Sequence, residues 1–201
     1  MDDKTFKVEV TKFIDGFSPD DFMAKTVPLS HDDYALVGRL LQAYCWADFN
    51  GRRVLDLLWA INETGTGEGA SRLRDAQVIE HLGIEAKNLK VLPEVSESLV
   101  RVFEMLDMHK DRRHEVAHWA ARKLDRLNSL LVLLKNKREN SRRGIDLEGK
   151  DEFTGFGVMP IPELKVECEK LFAQTDYLSK AVKLLSDYLD TVRPVAIAES
   201  D

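Results

Sequence analysis

The feature that most restricts the fold of this chain lies towards its C-terminus. Leu164, Cys168, Leu171, Thr175, Leu178, Val182, Leu185, Leu189 and Val192 follow one another in steps of four and three residues. Residues at such spacing share one face of a helix. The stripe predicts a long helix, opened by Pro162 in its first turn and ending just before Pro194. Its apolar face must pack on another helix, either of the same chain or of a second protomer. A chain organised round such an element belongs to the mainly α class.

The remaining pattern agrees with a helical bundle. Ser30 followed by Asp33 reads as a helix cap with an acid in the first turn. Tyr34, Val37, Leu41, Tyr44 and Cys45 then recur at helical spacing, and Leu55, Leu58 and Trp59 resume it. Gly51 is a candidate kink. The run TGTGEG from Thr64 ends this helix, because three glycines lose too much entropy in helical form. No lysine follows the run at phosphate-loop spacing, so it is not a nucleotide cradle. A short helix is expected over 71–82, closed by Gly83, and another opens at Pro93 with Val95, Leu99, Val102, Phe103 and Leu106 on one face. FKVEVTKFI, near the start, reads as a short strand or a helical turn. SLLVLLK (129–135) reads as a buried strand or a piece of helix, and the glycine-dotted stretch beyond it as loop or hairpin. The organisation expected is an N-terminal extension (1–29), a helical domain (30–193) with a small β-hairpin insert around 128–158, and a flexible tail (194–201).

At 201 residues with 44% apolar and 32% charged side chains, the chain can bury a core of one domain's size. No apolar run approaches the roughly 20 residues that span a bilayer. MDDKTFKVEV lacks the basic-then-apolar order of a signal peptide, so a cytoplasmic protein is expected, without a membrane partner. Cys45 and Cys168 are too few for a disulfide framework or a thiolate metal site, and both are expected as reduced core residues. Net charge is −6, yet Lys110 to Arg143 holds eleven basic and four acidic residues, a local surplus of +7 that leaves −13 for the rest. That strip is either a polyanion-binding face or a solvated, charge-mixed surface.

The chemistry is concentrated in Lys110-Asp111-Arg112-Arg113-His114-Glu115-Val116-Ala117-His118-Trp119. His114-Glu115-x-x-His118 has the spacing of a zinc hydrolase, two histidines on one helical face with a glutamate as general base. The context opposes it. No histidine follows His118, Ala121 stands where a glycine would continue the motif, and Arg112 and Arg113 bring two positive charges to a dication. Glu139 is a third ligand only in principle.

The second pattern is Arg113, a polar residue directly after it (His114), three more residues, then His118. With RHEVAH placed after a long helical pair, near the start of a later helix, the chain resembles the HEPN superfamily of helical, nucleotide-related proteins. The likeness spans about Tyr34 to Val192 in topology and six residues in motif. Ala121 departs from the tyrosine that members paired with a nucleotidyltransferase carry, so regulation by tyrosine modification is not implied. The resemblance implies a metal-independent endoribonuclease without cofactor, acting as a homodimer whose paired motifs line a shared cleft. A toxin or phage-defence effector with an antitoxin or regulatory partner protein fits that class. The alternatives are a non-catalytic dimeric adaptor or nucleotide-binding regulatory protein and, third, the zinc hydrolase.

The residue types suit RNA cleavage. The 2′-hydroxyl can attack its own 3′-phosphate, leaving a 2′,3′-cyclic phosphate. Histidine can remove or supply the protons near neutral pH, and a guanidinium holds the charge on the phosphoryl oxygens. Arg113 is assigned the phosphate charge and His118 the acid/base role, with His114 and Glu115 orienting their neighbours. Lys110, Arg112, Arg122, Lys123 and Arg126 would guide the RNA backbone, and Trp119 is the candidate for base stacking, since Trp46 and Trp59 sit in core-like patterns. Five helical steps turn about 500°, so Arg113 and His118 point about 140° apart on a regular helix. Either Arg113 precedes the helix or two chains contribute to one site.

Overall fold

The computed structural model describes residues 3–16, 22–65, 69–118, 120–134 and 155–198. Trp119, Glu139, the basic residues Lys135, Lys137, Arg138, Arg142 and Arg143, and the glycine-dotted stretch up to 154 lie outside them. The elements are α1 (Asp3–Asp15), α2 (Phe22–Lys25), α3 (His31–Asn62), α4 (Asp75–Asn88), α5 (Pro93–His118), β1 (Ala120–Leu124), β2 (Ser129–Leu134), β3 (Gly155–Pro160) and α6 (Ile161–Ala198). Short 3-10 turns occupy Ala70–Arg72 and Asp125–Leu127. Among the described residues the chain is mainly helical with a small antiparallel sheet. It divides into two compact units, residues 1–39 with 114–167 and residues 40–113 with 168–201. The division falls inside α3, α5 and α6.

The second of these units is built from helices. Ala43, Ala47, Val54, Leu55 and Leu58 of α3 meet Val78, Leu82 and Ala86 of α4, Leu99, Phe103 and Leu106 of α5, and Leu171, Leu178 and Leu185 of α6 in one core. The heptad stripe of α6 is thus covered here by helices of its own chain. Its last member, Val192, is exposed. The helix also runs on through Pro194 to Ala198, where the sequence suggests a stop. A proline inside a helix removes one ladder hydrogen bond and crowds the carbonyl four residues before it, which weakens the helix there without obliging it to end.

Several expectations about faces need correction. In the first half of α3 the buried apolar positions are Leu36, Leu40, Ala43, Tyr44 and Ala47, so of the face predicted there only Tyr44 is buried, and Tyr34, Cys45 and Trp46 are exposed; Leu55 and Leu58, further on, are buried where the spacing puts them. An apolar residue on the rim of a stripe reads like one at its centre, because the 100° step puts neighbouring rows only 40–60° apart (about, from helix geometry). α3 is continuous over Gly51, where an added Cβ would lie 3.4 Å from the Leu82 side chain. α3 ends at Asn62, just before the glycine run. α4 begins and ends later than expected, and Gly83 lies inside it rather than closing it. Glycine costs about 1 kcal/mol in a helix, less than the burial of Val78, Leu82 and Ala86 on the same element returns. α5 runs unbroken from Pro93 to His118. The basic motif therefore closes a helix rather than opening one, since no breaker separates Leu106 from His118.

In the first unit the sheet has the order β1-β2-β3, both pairs antiparallel. β2 is central, with Leu131 opposite Arg122 of β1 and Val158 of β3. Leu130, Leu131 and Val132 are all fully buried. A strand covered on both faces shows no alternation, which is why its sequence resembles a helix fragment equally well. Asn128, at φ 44°, supplies the left-handed turn between β1 and β2, a conformation its short amide tolerates. α1, which the sequence leaves between strand and helical turn, lays Phe6, Val10 and Phe13 on Leu124, Leu127 and Leu131. Val27 pairs with Lys123 through two backbone hydrogen bonds of 2.9 Å and so occupies the free edge of β1.

Candidate functional site

The last turn of α5 holds two imidazoles. His114 and His118 are four residues apart, so they lie on one face, and their ring centroids are 4.8 Å apart at 50°. His118, the final helical residue, is exposed, and His114 is half-buried. Glu115 and Arg112 are half-buried beside them in sequence. The end of a helix presents carbonyl groups with no intrahelical donor, a partial negative charge that favours a bound cation.

Arg113 belongs to the helical unit and has other engagements. Its Nη1 lies 3.9 Å from Asp75 Oδ2, and its guanidinium carbon stands 5.5 Å from the Tyr44 ring centroid. Its Nε is buried without a hydrogen-bond partner. Asp75 is held more tightly by Arg52, which donates from Nη2 at 2.9 Å and from Nε to Asp48 at the same distance. Arg52 also donates to the carbonyls of Ala70 and Leu73. Burial drives the Tyr44 hydroxyl pKa up, and Asp75 and Asp48 add to the rise, so the phenol stays neutral. Sequence reasoning misses this network. The Asp48–Arg52 pair at i,i+4 is visible in the sequence, but Asp75, twenty-three residues from Arg52, is not.

The cations assigned to guide RNA are distributed unevenly. Lys110 pairs with Asp107 at 2.6 Å. Arg122 donates to the Thr26 hydroxyl at 2.7 Å and to its carbonyl at 3.3 Å. Lys123 reaches Asp33 at 3.3 Å. Arg126, 88% exposed, touches Glu9 at 3.4 Å and, with Lys12, Lys25, Phe13 and Leu124, lines a pocket of about 470 Å³. Strand β1 explains why Arg122 and Lys123 do not form a helical stripe: successive side chains of a strand point to opposite faces, so Arg122 goes to Thr26 and Lys123 to Asp33.

Among the described residues no group of three His, Cys, Asp or Glu side chains is placed to hold a metal ion, and none of the described helices is long and apolar enough to cross a membrane. An aromatic group not foreseen by the sequence is exposed on α3: Trp46 and Phe49 meet edge to face with centroids 5.7 Å apart, and Arg53 lies 5.6 Å from the Phe49 ring centroid. Comparison with protein-family models, with curated proteins and with solved structures finds no match to this chain.

Proposed function

We propose that this chain is a metal-independent endoribonuclease, similar in its Arg113-x4-His118 motif to the HEPN superfamily. The observation that carries the reading is the pair of imidazoles, His114 and His118, 4.8 Å apart at the end of α5. In the proposed step the 2′-oxygen of RNA bonds to the adjacent 3′-phosphorus as its proton leaves to one imidazole. The bond from phosphorus to the 5′-oxygen breaks, and the departing oxygen takes a proton from the other. The products are a 2′,3′-cyclic phosphate and a 5′-hydroxyl. His118, the more exposed, is the principal acid/base. His114 is the second proton carrier or the group that orients the first. Arg113 holds the phosphoryl charge.

Helix geometry adds a condition. Because α5 is unbroken, Arg113 and His118 diverge by about 140° and do not converge on one phosphate within one chain. The reading therefore calls for a homodimer, in which Arg113 of one copy serves His118 of the other. To do so, Arg113 exchanges its long contact with Asp75 for the phosphate. A second reading, a non-catalytic dimeric adaptor, draws support from that contact: a guanidinium held between Asp75 and Tyr44 is also what a structural arginine looks like.

Incubation of RNA with the protein in a chelator separates the two. The expected result is cleavage to cyclic-phosphate ends, lowered about 10²–10⁴-fold in His118→Ala, and growth arrest on expression of the wild type only. Intact RNA at high protein concentration would establish the adaptor instead.

A further inference from the structure

We infer that His114 and His118 form a two-point chelate for a borderline divalent transition ion, of which Zn²⁺ is the natural probe, and that the ion acts as an inhibitor rather than a cofactor. The geometry comes first. Two imidazoles at i,i+4 with centroids 4.8 Å apart sit close enough for one nitrogen of each to bind one ion at the ordinary distance of about 2.0–2.1 Å. Neutral imidazole is the preferred ligand of ions of this softness.

The position adds to this. His118 is the terminal residue of α5 and is exposed, so an ion can enter without opening the fold. It would sit at the carbonyl end of the helix, where the partial negative charge favours a cation. Of the two arginines that the motif sets next to a dication, Arg113 has its charge partly matched by a carboxylate. Arg113 is engaged by Asp75 and turned over Tyr44. Two protein ligands leave the remaining coordination positions to water, and among the described residues no third His, Cys, Asp or Glu completes the set. Such a site holds an ion reversibly, without the closed shell of a structural centre.

The inhibitory part rests on the nuclease reading. A coordinated imidazole nitrogen has its lone pair on the metal and cannot take a proton from a 2′-hydroxyl. Zn²⁺ would thus stop the step for which the same pair is proposed.

Calorimetric titration of the full chain with Zn²⁺ tests the chelate without reference to activity. One equivalent should bind to the wild type. His114→Ala and His118→Ala should each weaken binding by about tenfold or more, and His109→Ala by no more than about twofold. Thermal melting of each variant confirms that the fold is retained. Wild-type affinity in either His114→Ala or His118→Ala would overturn the chelate. RNA cleavage is then followed with and without Zn²⁺. Inhibition relieved by a chelator supports both readings. RNA left intact in metal-free buffer, with the titration as expected, removes the nuclease reading and leaves the chelate standing.

Discussion

Asp33 is 4% exposed and yet has every reason to stay ionised. Burial raises its carboxyl pKa, but hydrogen bonds from the Ser30 hydroxyl and backbone N–H, with Lys123 3.3 Å away, outweigh that and hold it below the ordinary aspartate value. The Asp33 N–H donates back to Ser30 Oγ, closing a reciprocal cap at the start of α3. Because the folded value is the lower one, the contribution is complete above the unfolded pKa and disappears as pH falls through the folded one. Asp33→Asn should therefore cost about 1–2 kcal/mol near neutral pH. The gap between variant and wild type should begin to close below about pH 4. Urea midpoints measured from pH 7 to pH 2 check this; a gap that stays constant would contradict it. The cap itself is legible in the sequence as Ser30-x-x-Asp33. Its partner Lys123, ninety residues away, is not, and a residue assigned to RNA proves to hold a buried carboxylate.

At the scale of elements, glycine separates what propensity suggests from what packing permits. Gly83 lies within α4, and a Cβ added there meets nothing within 4 Å. Gly83→Ala should stabilise the protein by about 0.5–1 kcal/mol, chiefly by removing freedom from the unfolded chain. Gly157 is the contrary case. In β3, opposite Val132, an added Cβ would stand 3.2 Å from a Val132 methyl, so Gly157→Ala should lower the melting temperature. Melting curves of both variants distinguish a helix that tolerates its glycine from a strand that requires one. The same reasoning explains where element reading succeeds. The stripe of α6 and the face of Leu99, Val102, Phe103 and Leu106 are long and regular, and they are found where the spacing puts them. β1 goes unforeseen because five residues with mixed burial carry no alternation to detect.

For the whole molecule, charge is the property with consequences. On the proposed reading, a net −6 with a local basic surplus in the sequence would let RNA bind through the basic residues while the acidic remainder repels it. Binding should weaken steeply with salt, by about 0.7 log units per tenfold rise for each phosphate neutralised on a single strand. Filter binding of a single-stranded RNA from 50 to 500 mM salt (about the usual range for such slopes) measures it. A slope near zero would argue that Lys110, Arg112 and Arg126 do not touch phosphate. Lys123→Ala should change stability more than it changes the slope, because its ammonium is already paired with Asp33.

Local sequence was sufficient for those properties that depend on near neighbours: the helical class, the cap at Ser30, the long closing helix, and the co-facial placement of His114 and His118. These follow from the helical repeat, which couples residues three and four apart whatever the rest of the chain does. Tertiary structure decided which rim of α3 is buried, that α5 ends at the motif, that Arg113 is taken up by Asp75 and Tyr44, and that SLLVLL is the middle strand of a sheet. Each of these depends on a partner tens of residues away. Burial and ion pairing act between surfaces, and no periodicity in one segment records what the opposing segment will present.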